Sequence, residues 1–163
     1  MELLELLAKY TPAQITAVDM LPQFLEKLEE RARADRLLDR ITVQEMSMDN
    51  LKFDEEYFDV IWSEGAIYNI GFENGLFLWR KYLKDNGYIA VSEISWLTDN
   101  RPQEINAYWV REYPEIDTIE AKLAVMEKCG YTPIAHFVLG EECWIENYYQ
   151  PLLDKADAFL KKY

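Results

Sequence analysis

Short apolar, β-prone segments alternate with longer amphipathic ones along the chain, and this alternation limits the fold more than any other feature. Ile15 to Val18 is β-branched at both ends, closes on Asp19 and reads as a strand. Leu21 to Ala34 follows, with Leu21, Phe24, Leu25, Leu28 and Ala32 at helical spacing and charges between them. Ile41 to Met46 and Tyr57 to Trp62 are the next strands, and Val60-Ile61-Trp62 is apolar without a break. Glu73 to Lys84 reads as a helix. Tyr88 to Ser95 reads as a fourth strand, entered through the turn dipeptide Asn86-Gly87. Pro102 opens a helix to Glu112, where proline is tolerated in the first turn. Thr118 caps another to Lys128, closed by Gly130. Tyr131 to Leu139 has strand character, and Cys143 to the C-terminus is mostly helical.

Apolar strands separated by amphipathic helices predict a parallel sheet covered on both faces. The connections are long enough for right-handed crossovers. The expected fold is therefore α/β, three-layered and doubly wound. With 163 residues, no linker and no repeat, it is expected as a single domain over 1–163.

The charge balance narrows the function classes. Seventeen basic and 30 acidic side chains leave a net charge of −13. Nucleic-acid phosphates and anionic membranes call for a basic surface, so neither is an expected partner. A cytoplasmic protein handling small molecules is expected. No apolar run approaches the roughly 18 residues of a membrane span. The cysteines, Cys129 and Cys143, fit no zinc spacing, and His136 is the one histidine, so no metal site is expected. His136, inside a predicted strand, reads as structural. Asp54-Glu55-Glu56 and Glu141-Glu142 read as solvated surface.

In doubly wound sheets ligands bind beyond the carboxyl ends of the strands. Asp19 follows the first strand; it can accept from both hydroxyls of a ribose, or cap the next helix. Ser47-Met48-Asp49-Asn50 follows the second, suited to an adenine edge with Met48 against the ring, or to a solvated turn. Ser63-Glu64-Gly65 follows the third and runs into Ala66-Ile67-Tyr68-Asn69-Ile70-Gly71. Its glycines permit close backbone approach. Glu64 can pair with an ammonium, or act as a base if burial raises its pKa, and Tyr68 and Asn69 can position a substrate. Glu93-Ile94-Ser95-Trp96 follows the fourth strand, where Trp96 walls a pocket or finishes the core.

These segments, in this order, resemble class I S-adenosylmethionine-dependent methyltransferases. The resemblance rests on Ile15–Asp19, Ser47–Leu51, Phe58–Gly65 and Asn86–Glu93, and it covers nearly the whole chain. The stretch WSEGAIYNIGF, Trp62 to Phe72, is similar to a bacterial UbiE-like subgroup. The resemblance implies a Rossmann-like sheet, S-adenosylmethionine as cofactor and a small-molecule methyl acceptor. It implies that Asp19 binds the cofactor ribose with Met20 beside the adenine. It implies that Met48 and Asp49 bind the adenine, and that Glu64 and Gly65 lie by the methionine moiety. Placement suggests Glu64 and Tyr68 as catalytic groups and Tyr68, Asn69 and Trp96 at the substrate.

The family's glycine-rich loop has no counterpart here. Glu2 to Tyr10 contains no glycine and reads as the helix that follows such a loop. The chain is also expected to end in a helix at Lys161-Lys162-Tyr163, where the family adds an antiparallel strand. The sheet is therefore expected to be incomplete at both ends, with exposed edges that a homo-oligomer or a partner chain would cover. A truncated or degenerate, non-catalytic module that binds a partner chain is the alternative to an enzyme. A nucleotide-dependent oxidoreductase explains Trp62–Phe72 less well.

Overall fold

A computed structural model describes residues 2–160. It falls into two compact units, Met1–Tyr131 and Thr132–Tyr163. The first is α/β. Helix α1 (Glu2–Tyr10) precedes β1 (Ile15–Asp19), α2 (Pro22–Ala34) and β2 (Ile41–Glu45). Then come β3 (Phe58–Ser63), a 3₁₀ turn over Ile67–Ile70, α3 (Phe72–Trp79) and β4 (Leu83–Val91). Strand β5 (Ser95–Trp96), α4 (Gln103–Glu112), β6 (Asp117–Thr118) and α5 (Ile119–Lys128) complete it.

Every strand pairing is parallel, as the crossover lengths predict. β1 pairs with β2, running from Ile15 opposite Ile41 to Asp19 opposite Glu45. β3 pairs with β4, with Ser63 opposite Val91, and β5 pairs with β6. The ladders remain three separate pairs among the described residues rather than one continuous sheet. The apolar core is divided in the same way. Ala8, Ala17, Leu28, Ala32 and Ile41 bury the α1–α2 face of the first pair. Ile67, Phe72, Leu76 and Trp79 bury one face of the second.

Three segments depart from expectation. Val60 and Trp62 stay half exposed, each at 49%, so β3 is covered on one face only. The predicted helix Glu73–Lys84 stops at Trp79 and closes in a 3₁₀ turn over Arg80–Tyr82. There Lys81 and Tyr82 give their carbonyls to the Glu56 and Tyr57 amides, which draws the backbone into β4 from Leu83. Asn86-Gly87 thus lies inside β4, with Asn86 at φ +61° beside an irregular register. A side chain at Gly87 would press on the Lys84 and Asp59 carbonyls at 3.0 and 3.2 Å. Lastly, β4 ends at Val91, and Ser95-Trp96 pairs separately with Asp117-Thr118.

Tyr131, the last residue of the first unit, and the residues to Leu139 in the second form no strand. β-prone residues need a paired neighbour to settle as a strand, and none of the described residues supplies one. His136 is therefore exposed in irregular chain, not fixed inside a sheet. A helical stretch follows: α6 (Glu142–Trp144), a π-turn over Ile145–Tyr149 and α7 (Gln150–Leu160). The helix end expected at Lys161–Tyr163 lies outside the described residues.

Thr118 caps α5 as predicted, accepting from the Ala121 amide at 3.3 Å. Tyr131 donates to the Leu76 carbonyl at 2.9 Å, and burial pushes its hydroxyl up to about 12, against the pull of nearby Arg80. Burial, the hydrogen bond to Glu93 and the carboxylates of Glu93 and Glu115 push the Tyr113 phenol upward too. Both phenols hold their protons more tightly folded than unfolded. Their share of stability is whole below about pH 10 and is lost as pH rises through the folded values. Urea midpoints should fall from pH 10 to pH 12, and less steeply in Tyr113→Phe. A flat profile across that window would contradict the burial of these groups.

Candidate active site

The parallel ladders bring the predicted site segments to the carboxyl ends of their strands. Asp19 closes β1. Its Oδ1 accepts from the Leu21 amide at 2.8 Å, and Oδ2 takes no donor among the described residues. It does not cap α2; that position belongs to Leu21, whose side chain makes no cap. Asp19 instead forms a tight turn that holds its carboxylate at the strand end. It borders an apolar recess of about 300 Å³ lined by Leu4, Ala17, Val18, Phe24, Leu25 and Leu28. Met20 beside it is 64% exposed.

The Met46 amide donates to the Asp19 carbonyl at 3.1 Å, so the segment after β2 leaves from the same end. It then turns toward α3. Trp79 Nε1 donates to the Met48 carbonyl at 2.7 Å, and the Tyr82 hydroxyl donates to the Leu51 carbonyl at 2.6 Å. Met48 packs against the Trp79 cluster, while Asp49 stays exposed. The two line a smaller recess of about 120 Å³ with Asn50, Leu51, Leu78, Trp79, Lys81 and Tyr82. Asp19 and the Met48–Asp49 pair thus share one end of one strand pair but border different recesses.

After β3 and β4 the chain is cross-tied. The Ser92 amide donates to the Ser63 carbonyl at 3.0 Å, and the Gly65 amide donates to Ser92 Oγ at 2.8 Å. Gly65 has φ +54°, and a Cβ there would meet nothing within 4 Å. That leaves open space against the backbone, as a site for close ligand approach requires. Glu64 is exposed rather than buried. The Tyr68 ring is 48% exposed and meets the Tyr113 ring edge-on at 6.1 Å. Asn69 spends its amide nitrogen on the Ala66 carbonyl at 3.0 Å. Trp96 lies under the Arg101 guanidinium, 4.4 Å from the ring centre, and away from full burial.

One constellation escaped the sequence reading. Glu93, two residues past β4, pairs with Lys122 of α5 at 2.7 Å, and both side chains are more than nine-tenths buried. The Tyr113 hydroxyl donates to Glu93 Oε1 and accepts from Lys122 Nζ at 3.2 Å. The Lys122 ammonium also lies over the rings of Phe72 and Tyr113, at 4.6 and 4.8 Å. Beside them Glu115 accepts from the Phe72 amide, the first of α3, at 2.6 Å. The signal was present: Lys122 lies three residues after Ile119 and four before Met126, on the apolar side of its helix. A lysine there implies a buried partner.

The model of a methyltransferase domain matches residues 2–87, more than half of the chain. The chain belongs to the methyltransferase domain family. That family's cofactor is S-adenosylmethionine. Solved structures extend the likeness of fold beyond the matched region. The Haemonchus contortus phosphoethanolamine N-methyltransferase 2, bound to phosphomonomethylethanolamine and S-adenosylhomocysteine, is 17% identical with a TM-score of 0.73. That match covers 98% of this chain and 38% of that one. Geranyl diphosphate C-methyltransferase from Streptomyces coelicolor A3(2) is 13% identical at a TM-score of 0.66, covering 80% and 49%. The [4+2]-cyclase SpnF is 17% identical at 0.65, covering 77% and 45%. This methyltransferase domain thus spans less than half the length of each. No curated protein sequence matches it. Among its described residues no helix is long and apolar enough to cross a membrane.

Proposed function

We propose that this methyltransferase domain transfers a methyl group from S-adenosylmethionine to a small molecule. The observation that carries the reading is the Asp19 carboxylate, held at the end of a parallel strand beside an apolar recess, in a chain of this family. The residues present suit the cofactor. Asp19 accepts hydrogen bonds from the ribose hydroxyls, with Met20 near the adenine. Met48 and Asp49 serve the adenine from the neighbouring strand end. Gly65, free of a Cβ, leaves room for the methionine portion beside Glu64. When bound, the cofactor supplies an electrophilic methyl on a sulfonium, so the protein's work is to align and to exclude water.

Tyr68 and Trp96 offer ring faces to the sulfonium, and Asn69 helps to position the acceptor. Glu64, exposed and next to Gly65, takes the proton of an acceptor that must lose one. The stretch Trp62–Phe72 supports a place in the UbiE-like subgroup. The −13 charge supports a cytoplasmic location and a small acceptor in preference to nucleic acid. A homo-oligomer is consistent with strand pairs that share no ladder among the described residues.

Calorimetric titration with S-adenosylhomocysteine tests the reading, with micromolar binding expected. Asp19→Ala should weaken it by roughly 1.5–3 kcal/mol for each charge-assisted hydrogen bond lost. Unchanged affinity would leave Asp19 with its turn alone. Glu64→Gln should lower turnover more than cofactor affinity; equal effects on both would remove its role as base. The same open ladders favour a second reading, a non-catalytic module that completes its sheet with a partner chain. A folded chain that does not bind S-adenosylhomocysteine would support that second reading.

A further inference from the structure

We infer that the carboxyl ends of β3 and β4 form a subsite for an amine-bearing methyl acceptor, with Glu93 Oε2 as the oxygen that receives its ammonium. The inference rests on the methyl-transfer reading for the identity of the ligand as acceptor.

Two buried oxygens without a hydrogen-bond partner lie at these strand ends, Glu93 Oε2 and Ser63 Oγ. Ser63 closes β3, and its carbonyl holds the amide of Ser92, the residue before Glu93. The other such oxygen among the described side chains, Glu5 Oε1, is 2.8 Å from Arg31 Nε across an ion pair. Glu93 Oε2 takes no hydrogen bond, although its carboxylate is paired with Lys122 through the other oxygen. Both Lys122 and the Tyr113 hydroxyl go to Oε1. Leaving a buried charged oxygen undonated is unfavourable, so the arrangement is suited to a donor brought from outside.

The surroundings select a cation. Glu93 meets Lys122, Glu115 meets the Phe72 amide, and Glu64 directly follows β3, so carboxylates come from three segments here. The rings of Phe72 and Tyr113 already hold the Lys122 ammonium at their faces. Tyr68, edge-on to Tyr113 and half exposed, extends the same aromatic wall toward solvent. An ammonium donates to carboxylate and hydroxyl oxygens and is attracted by aromatic faces. A neutral hydroxyl uses only the first of these.

The test compares N-methylethanolamine with its uncharged match, 2-methoxyethanol, by amide chemical-shift titration with and without S-adenosylhomocysteine. The amine should bind about tenfold more tightly or better, with shifts at Gly65, Tyr68 and Glu93. Glu93→Gln alone leaves Lys122 buried without its counter-ion, so Glu93→Gln with Lys122→Met is the informative variant; its amide spectrum reports that it is folded. In it the preference for the amine should fall to near unity. Equal binding of the two probes by the unmodified chain would overturn the subsite, as would a preference that survives in the double variant. Amine preference without S-adenosylhomocysteine binding would uphold the subsite and overturn the methyl-transfer reading instead.

Discussion

Lys122→Met lowers the unfolding free energy by about 3–5 kcal/mol, the usual result of stripping one partner from a buried ion pair. The Lys122 and Glu93 side chains are 8% and 7% exposed, so losing the ammonium leaves a buried carboxylate without its counter-ion. The Tyr113 hydroxyl still donates to Glu93, but one hydrogen bond does not balance a buried carboxylate. Methionine fills much the same volume, so little of the loss comes from packing. Urea unfolding followed by circular dichroism measures it. Adding Glu93→Gln should restore most of the stability, because the double change removes both charges together. A loss below about 1 kcal/mol would put the pair in the range of exposed ion pairs and contradict its burial.

Trp79→Ala has an effect of similar size, about 3–5 kcal/mol for a large buried aromatic. Trp79 is 4% exposed within the cluster of Ile67, Phe72 and Leu76. Its ring nitrogen also holds the Met48 carbonyl, so the substitution frees the segment proposed to meet the adenine. Trp79→Phe separates the two roles. It retains most of the ring's bulk but leaves that carbonyl without its donor, at about 1–3 kcal/mol. S-adenosylhomocysteine affinity should fall in Trp79→Phe by more than in Leu76→Ala, which damages the same core and leaves Met48 tethered. Equal affinities in the two variants would show that the tether does not shape the recess around Asp49.

Elements whose signals are local were legible in the sequence. Ile15–Asp19, Ile41–Glu45 and α2 follow from apolar periodicity, and the Thr118 cap and Gly130 end from single residues in defined roles. What depends on distant partners was not. Glu73–Lys84 has helical spacing throughout, yet the captured carbonyls of Lys81 and Tyr82 end the helix early. Tyr131–Leu139 has strand composition but lacks a ladder among the described residues. At the site, the position of Asp19 could be read from where its strand stops. Glu93, Lys122 and Tyr113 could not be assembled, because they come from three segments joined only by the tertiary fold. Glu64 shows the converse: its place after β3 could be read, but its exposure is set by neighbours that spacing does not reveal.

The division of the core into two clusters has a consequence for how the molecule breathes. Cooperative opening follows buried contact, and elements that share a core protect their amides together. Ala17, Leu28 and Ile41 form one such group and Ile67, Leu76 and Trp79 another, and the Trp79–Met48 and Tyr82–Leu51 hydrogen bonds tie the segment after β2 to the second. Native-state hydrogen exchange should therefore resolve two protection classes, with β1 and β2 amides in one and β3 and β4 amides in the other. Asp19 belongs to the first class and Glu93 to the second. A ligand that spans both would slow exchange in the two classes at once and turn two independent openings into one.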